Sequence, residues 1–116
     1  MNRITLALGV ALAALVAAAP VAARPTAVTA TTVTVKMTEF KFALSKKTVP
    51  HRKVTFKLVN KGKLKHDLAI AGKKSKLIAP GKTGFLTVTL RAGKIAYKCT
   101  VAGHAAAGMK GKLTVT

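Results

Sequence analysis

Cys99, His104 and Met109 stand at even intervals in the stretch Cys99-Thr-Val-Ala-Gly-His104-Ala-Ala-Ala-Gly-Met109, and Cys99 is the only cysteine of the chain. Upstream lies an isolated pair, His66-Asp67. One thiolate, two imidazoles and a thioether are the donor set of a copper site that passes single electrons. In such a site the Cys and both His lie in a trigonal plane, and Met sits on a long axial bond. The C-x4-H-x4-M spacing has a physical reason. A short loop that doubles back presents three side chains to one ion, and the fourth must come from a neighbouring strand, where His66 is the candidate. With three His and three Met in 116 residues, chance places both at these offsets from one Cys roughly one time in 1,500.

Each residue alone has a plainer reading. A single Cys is most often a small buried hydrophobe and Met is most often core filler. A lone His in a Gly/Ala loop is usually exposed. Together, and with the cellular address argued next, they read as a copper site.

Residues 1–23 read as a targeting segment outside the fold. Arg3 gives a short positive region and Leu6 to Ala19 an apolar run of fourteen residues; Val21-Ala22-Ala23, after Pro20, offers small residues for cleavage after Ala23. Such a run is too short to span a bilayer comfortably, with an uncleaved anchor as the alternative to cleavage, and no cysteine follows it to carry a lipid. The expectation is an exported protein of the periplasm, the extracellular space or the cell surface. In an oxidising compartment a structural cysteine normally has a partner, and Cys99 has none within the chain. Either it pairs between chains or something other than a disulfide holds it, and metal ligation is the economical answer.

Residues 24–31, Thr/Ala-rich with Pro25, form a short flexible lead-in, and 32–116 form one small domain. Without Arg3, 20 of the 21 basic residues remain against Glu39 and Asp67 alone, a formal charge of +18. Such a field attracts anionic partners and weakens as salt is added. It says nothing about fold.

The elements that must position the ligands show in a period-two pattern. Val33, Val35 and Met37 alternate with Thr34 and Lys36. A second segment, Glu39 to Leu44, carries Phe40 and Phe42. Val54, Phe56 and Leu58 alternate with Thr55 and Lys57 up to a turn at Asn60-Lys-Gly62. His66, Leu68 and Ile70 share a face as far as Gly72, and Pro80-Gly81 is a strong turn. Leu86, Val88 and Leu90 follow, then Ile95, Tyr97 and Cys99, and Leu113 and Val115 close the pattern. Seven or so short strands with regular turns predict an all-β, antiparallel sandwich. His66 and Cys99 share faces with apolar neighbours, so both look inward at the ends of their strands. Lysines on the opposite faces, such as Lys57 and Lys98, read as solvated edge and surface protection. Met37 reads as core, and His51, beside Arg52-Lys53, as a surface histidine without a metal role.

From Tyr97 onward, Tyr97-Lys-Cys99-Thr-Val-Ala-Gly-His104-Ala-Ala-Ala-Gly-Met109-Lys-Gly-Lys-Leu-Thr-Val resembles the C-terminal copper loop of the cupredoxins, the plastocyanin, azurin and rusticyanin relatives. The even spacing is most similar to the rusticyanin and sulfocyanin type. The resemblance implies a Greek-key, cupredoxin-like sandwich holding one type 1 copper ion, with His66 and His104 as the histidine ligands, Cys99 as the thiolate and Met109 as the axial ligand. Ala102 stands where many relatives carry proline, and Asp67 where asparagine is common. Acids are usually exposed turn residues. In the functional reading the Asp67 backbone N–H points at the Cys99 sulfur and its carboxylate accepts from Thr100, which orients ligands and tunes the potential.

The function expected from this site is one-electron transfer outside the cytoplasm, with His104 as the exit in a small-residue patch that a redox partner can approach. That partner is a transient, acidic redox protein, a cytochrome or an oxidase or reductase, steered by lysines. Reduction lowers the site's charge by one unit, so a strongly positive protein favours Cu(I), and the potential should be high and fall with added salt. The same charge allows association with an anionic membrane surface, and the protein reads as a monomer. A copper carrier or storage protein is the alternative, separated by colour, since Cu(I) transport leaves the protein colourless. Four Phe and one Tyr provide no evident base-stacking platform, so specific nucleic-acid binding is not expected. No Ser-His-acid set, paired carboxylates or phosphate loop is visible, and four filled coordination positions leave no place for substrate. An enzyme is not expected.

Overall fold

The structure, a computed structural model, describes Gly9 and residues 30–116. The expected targeting segment at 1–23 and most of the lead-in at 24–31 lie outside the described residues. Among those described, nine strands follow one another: β1 (Thr31–Thr38), β2 (Lys41–Leu44), β3 (Thr48–Val49), β4 (Lys53–Asn60), β5 (Ala69–Ile70), β6 (Lys73–Lys74), β7 (Thr83–Thr89), β8 (Gly93–Lys98) and β9 (Lys110–Val115).

Alternation decides which face each strand buries. Val33, Val35 and Met37 of β1 and Val54, Phe56 and Leu58 of β4 are buried, while Thr32, Lys36, Lys53 and Lys57 face solvent. β-Branched and aromatic side chains suit such a half-buried pleat. These strands form the middle of a four-stranded sheet, β2-β1-β4-β7. Leu113 and Val115 of β9, with Leu68 and Ile70, belong to the same buried core. They come from the second, five-stranded sheet and its approach, in the order β3-β9-β8-β5-β6.

The all-β sandwich and its core match the reading of the sequence; strand direction does not. β1 pairs parallel to β4 and β3 pairs parallel to β9, so both sheets are mixed where antiparallel ones were expected. Alternation reports which face is buried and carries no information on direction. Parallel neighbours need a crossover between them, and the chain supplies one by running through β2 and β3 before β4. The extra strands are short: β3, β5 and β6 span two residues each.

A second difference lies at His66. The expected continuous strand from His66 to Ile70 is interrupted: His66 makes an isolated bridge to Ile78, and regular pairing starts only at Ala69. His66, Asp67 and Leu68 are all buried. Three consecutive buried side chains cannot come from a flat strand with one wet face; regular pairing is broken here, and the Asp67 carboxylate bonds Thr100. Lys57 and Lys98 also differ from expectation in one respect. Their strands, β4 and β8, lie inside the sheets and not at the edges, so edge protection does not account for them.

Asn60 fixes the end of the sandwich that presents the ligands. At the end of β4, it is fully buried. Its Nδ2 donates to the carbonyls of Leu64 and Ile78, both at 2.8 Å, and its Oδ1 accepts from the Gly62 N–H at 2.9 Å. One side chain thus ties the turn before His66 and the segment bridged to His66 onto a core strand. Asn60→Ala strands buried polar groups and should lower stability by about 2–4 kcal/mol. Urea unfolding measures it, and a change below about 0.5 kcal/mol would remove the role.

Candidate metal centre

The β8–β9 ladder ends at the pair Lys98↔Lys110, so the next residue of β8 and the residue before β9, Cys99 and Met109, lie side by side. The Cys99 N–H donates to the Met109 carbonyl at 3.1 Å, which closes the loop. Inside it, the His104 N–H donates to Val101 O at 3.0 Å and the Met109 N–H to His104 O at 3.0 Å. Gly103 and Gly108 adopt φ of 80° and 116°, where a side chain would be strained. The two equal gaps of the motif are therefore two successive tight turns. Each turn returns one donor to the end of the sandwich.

His66 arrives from the other side. Its Nδ1 lies 3.1 Å from His104 Nδ1, and His104 Nδ1 lies 3.6 Å from Cys99 Sγ. The ligand atoms of His66, Cys99 and His104 all fall within 4.8 Å of one another, and all three residues are buried. Met109, fully buried, belongs to the same cluster. Donor atoms this close would be able to share one metal ion. The chemistry of the donors agrees. Burial pushes the Cys99 thiol up, and the Asp67 carboxylate adds to this, against backbone N–H groups of Asp67 and Val101 that favour the thiolate. A cation among the donors reverses that balance, because metal coordination deprotonates a thiol outright.

Two surrounding groups hold the imidazoles. Glu39 Oε1 accepts from His66 Nε2 at 3.2 Å and from the backbone N–H groups of Lys63 and Leu64 at 2.7 and 2.8 Å. In a neutral imidazole, donation from Nε2 leaves the lone pair on Nδ1, the atom that faces His104. Phe40 packs edge-on against the His104 ring, centroids 5.0 Å apart. One part of the functional reading of Asp67, its bond to Thr100, is present: Oδ1 accepts from the Thr100 N–H at 2.6 Å, and Oδ2 accepts from the Thr100 hydroxyl. The carboxylate thereby pins the first residue of the loop.

Of the four residues singled out by type and spacing, His66, Cys99 and His104 bring their donor atoms together, and Met109 is buried with its backbone bonded to Cys99 and His104. Glu39, Phe40 and Asn60 were not read as part of the site. Glu39 had a signal: it is one of only two acidic residues in the chain. Nothing in the sequence marked Phe40 beyond an apolar strand, or Asn60 beyond a turn. His51, expected at the surface, is exposed, and its Nδ1 meets the Thr116 carbonyl at 2.7 Å.

Residues 23–116 match the model of a family described as copper binding proteins, plastocyanin/azurin family. Solved structures share the fold. Auracyanin B is 24% identical, with a TM-score of 0.67 over 75% of this chain and 89% of its own. A dithionite-reduced auracyanin from the photosynthetic bacterium Roseiflexus castenholzii is 23% identical, with a TM-score of 0.62 over 75% of this chain and 98% of its own. Auracyanin A, a "blue" copper protein from Chloroflexus aurantiacus, is 24% identical, with a TM-score of 0.60 over 73% of this chain and 99% of its own. No curated protein sequence matches.

The Glu39 contacts make a prediction about acid stability. The Leu64 N–H, foremost, holds the carboxyl down from 4.5 to about 2, with Lys63 N–H and His66 adding to it against desolvation. A folded value below the unfolded one means that the contribution is complete above pH 4.5 and is lost as pH falls toward about 2. In the metal-free protein, Glu39→Gln should therefore flatten the fall in melting temperature across that window. Parallel melting curves for the two proteins would show that Glu39 contributes nothing.

Proposed function

The chain belongs to the plastocyanin/azurin family of copper-binding proteins, and from that premise we propose that it carries single electrons between redox partners outside the cytoplasm. Members of the family are electron carriers, not enzymes, and their cofactor is a type 1 copper ion. The observation that carries the proposal is the convergence of Cys99 Sγ, His66 Nδ1 and His104 Nδ1 within 4.8 Å, with Met109 closing the cluster. These four side chains are the proposed ligands. When bound, copper supplies a one-electron change between Cu(II) and Cu(I).

The chain's own groups do the rest. Cys99 gives the thiolate and, through its peptide link to β8, a covalent route into the sheet. Glu39 keeps His66 in the tautomer that offers Nδ1. Asp67 and Asn60 fix the two segments that meet at the site, so the donors hold one arrangement and little must reorganise when charge changes. His104 is 7% exposed, flanked by exposed Ala102, Ala106 and Ala107. That small-residue surface lets a partner approach the imidazole, and His104 is the proposed exit. The even C-x4-H-x4-M spacing supports a place beside the rusticyanin and sulfocyanin type within the family. Residues 1–23 are proposed to direct export, and 32–116 to act as a monomeric domain. The partner proposed is an acidic redox protein, steered by the lysines, with anionic membrane as a second surface for the same charge.

Purified protein titrated with Cu(II) should develop an intense blue or green thiolate band, and Cys99→Ser should lose it. Colourless Cu(I) binding without that band would replace electron transfer by copper carriage. Asp67→Ala, which frees Thr100 and the loop, should move the visible band or the reduction potential. If both stay where they were, Asp67 has no part in tuning the site.

A further inference from the structure

The outer face of the five-stranded sheet carries a row of residues set directly opposite one another across four strands: Lys74, Ala69, Lys98 and Lys110. One step along, Ala96 faces Lys112. All four lysines are exposed, and with the two alanines they line a shallow trough of about 880 Å³. Like charges directly opposite on a sheet destabilise it, and Lys98↔Lys110 is such a pair on two interior strands, where edge protection has no purpose. The chain's two acidic side chains, Glu39 and Asp67, are both turned to the metal centre. Neither screens this face.

We propose that this lysine-rimmed trough is the docking surface for an acidic segment of the redox partner, a strand or loop whose carboxylates reach Lys98 and Lys110. The small floor of Ala69 and Ala96 admits a polypeptide between the lysines. A flat bilayer does not follow a trough, and none of the large exposed apolar residues, Leu64, Leu77 or Phe85, lines it. The position matters for the chemistry. Lys98 precedes Cys99 and Lys110 follows Met109, so carboxylates docked here lie beside the ligands. This rests on the reading of the protein as a copper electron carrier. Under it, the oxidised form, one positive charge higher, binds the acidic segment more tightly, and by linkage docking lowers the reduction potential.

The test uses the full-length protein loaded with Cu(I), followed by amide resonances as poly-L-glutamate is added, and separately as phosphatidylglycerol vesicles are added. Shifts with poly-L-glutamate should concentrate at Ala69, Ala96, Lys98 and Lys110. The double variant Lys98→Ser/Lys110→Ser should weaken binding about tenfold, whereas Lys36→Ser/Lys57→Ser on the other sheet should leave it unchanged. Both variants remove exposed charge and no packed side chain, and an unchanged visible band of the Cu(II) form confirms their fold. Poly-L-glutamate should also lower the reversible potential of the parent protein and not that of the Lys98/Lys110 variant. Shifts spread evenly over both sheets, equal loss in both variants, or vesicles bound at this face with poly-L-glutamate silent would overturn the proposal. A protein that fails to cycle reversibly overturns the carrier reading and the redox part with it, while the resonance map still decides whether the face binds acidic polypeptide.

Discussion

A thiol and two imidazoles buried against one another are an unfavourable thing to place in a protein interior. Polar groups taken out of water cost free energy unless each finds a partner, and the partners here are largely one another. Everything else at this end of the molecule limits that cost. The Cys99–Met109 backbone bond closes the loop, Asp67 fixes Thr100, Glu39 takes the outer nitrogen of His66, and Asn60 joins the two segments around His66 to the core. Among the described residues, no buried side-chain nitrogen or oxygen lacks a hydrogen-bond partner. The centre is a set of side chains held in readiness by their neighbours, and the two sheets are what those neighbours stand on.

Charge is distributed by the same constraint. Two carboxylates among 116 residues could have sat anywhere on a lysine-rich surface. Both lie within hydrogen-bond reach of the ligand residues or their loop. The negative charge is thus gathered at the metal end, on buried Asp67 and half-buried Glu39, and the rest of the surface is left positive. A site that gains an electron on reduction is embedded in a field that favours the gain, and the positive surface is the counterpart of two carboxylates committed to the metal end.

Much of this was legible in the chain. The apolar alternation of Val33-Val35-Met37 and Val54-Phe56-Leu58 located the buried faces, because burial on a pleated strand has period two. The copper donors were legible because a sulfur, a ring and a thioether at fixed short spacing have few other uses. Strand direction was not, since parallel and antiparallel partners bury the same residues and the difference lies in connections distant in sequence. The break at Asp67 was hidden for a related reason: alternation through His66, Leu68 and Ile70 looks complete until the middle residue is also drawn inside by Thr100, some thirty positions later. Glu39 escaped notice because its partners, Leu64 and His66, are 25 and 27 residues away. Only scarcity pointed to it.

The parallel pairing of β3 with β9 has a consequence in time. β9 follows every other strand, yet it lies inside its sheet, between β3 and β8. During synthesis from the N-terminus, Cys99 emerges before the strand that completes its shelter. β3 must likewise wait for a partner more than sixty residues downstream, and pairing over such distances is slow. Until then the thiol is an open nucleophile, susceptible to oxidation. Between making its sulfur and burying it, the chain carries that sulfur unsheltered.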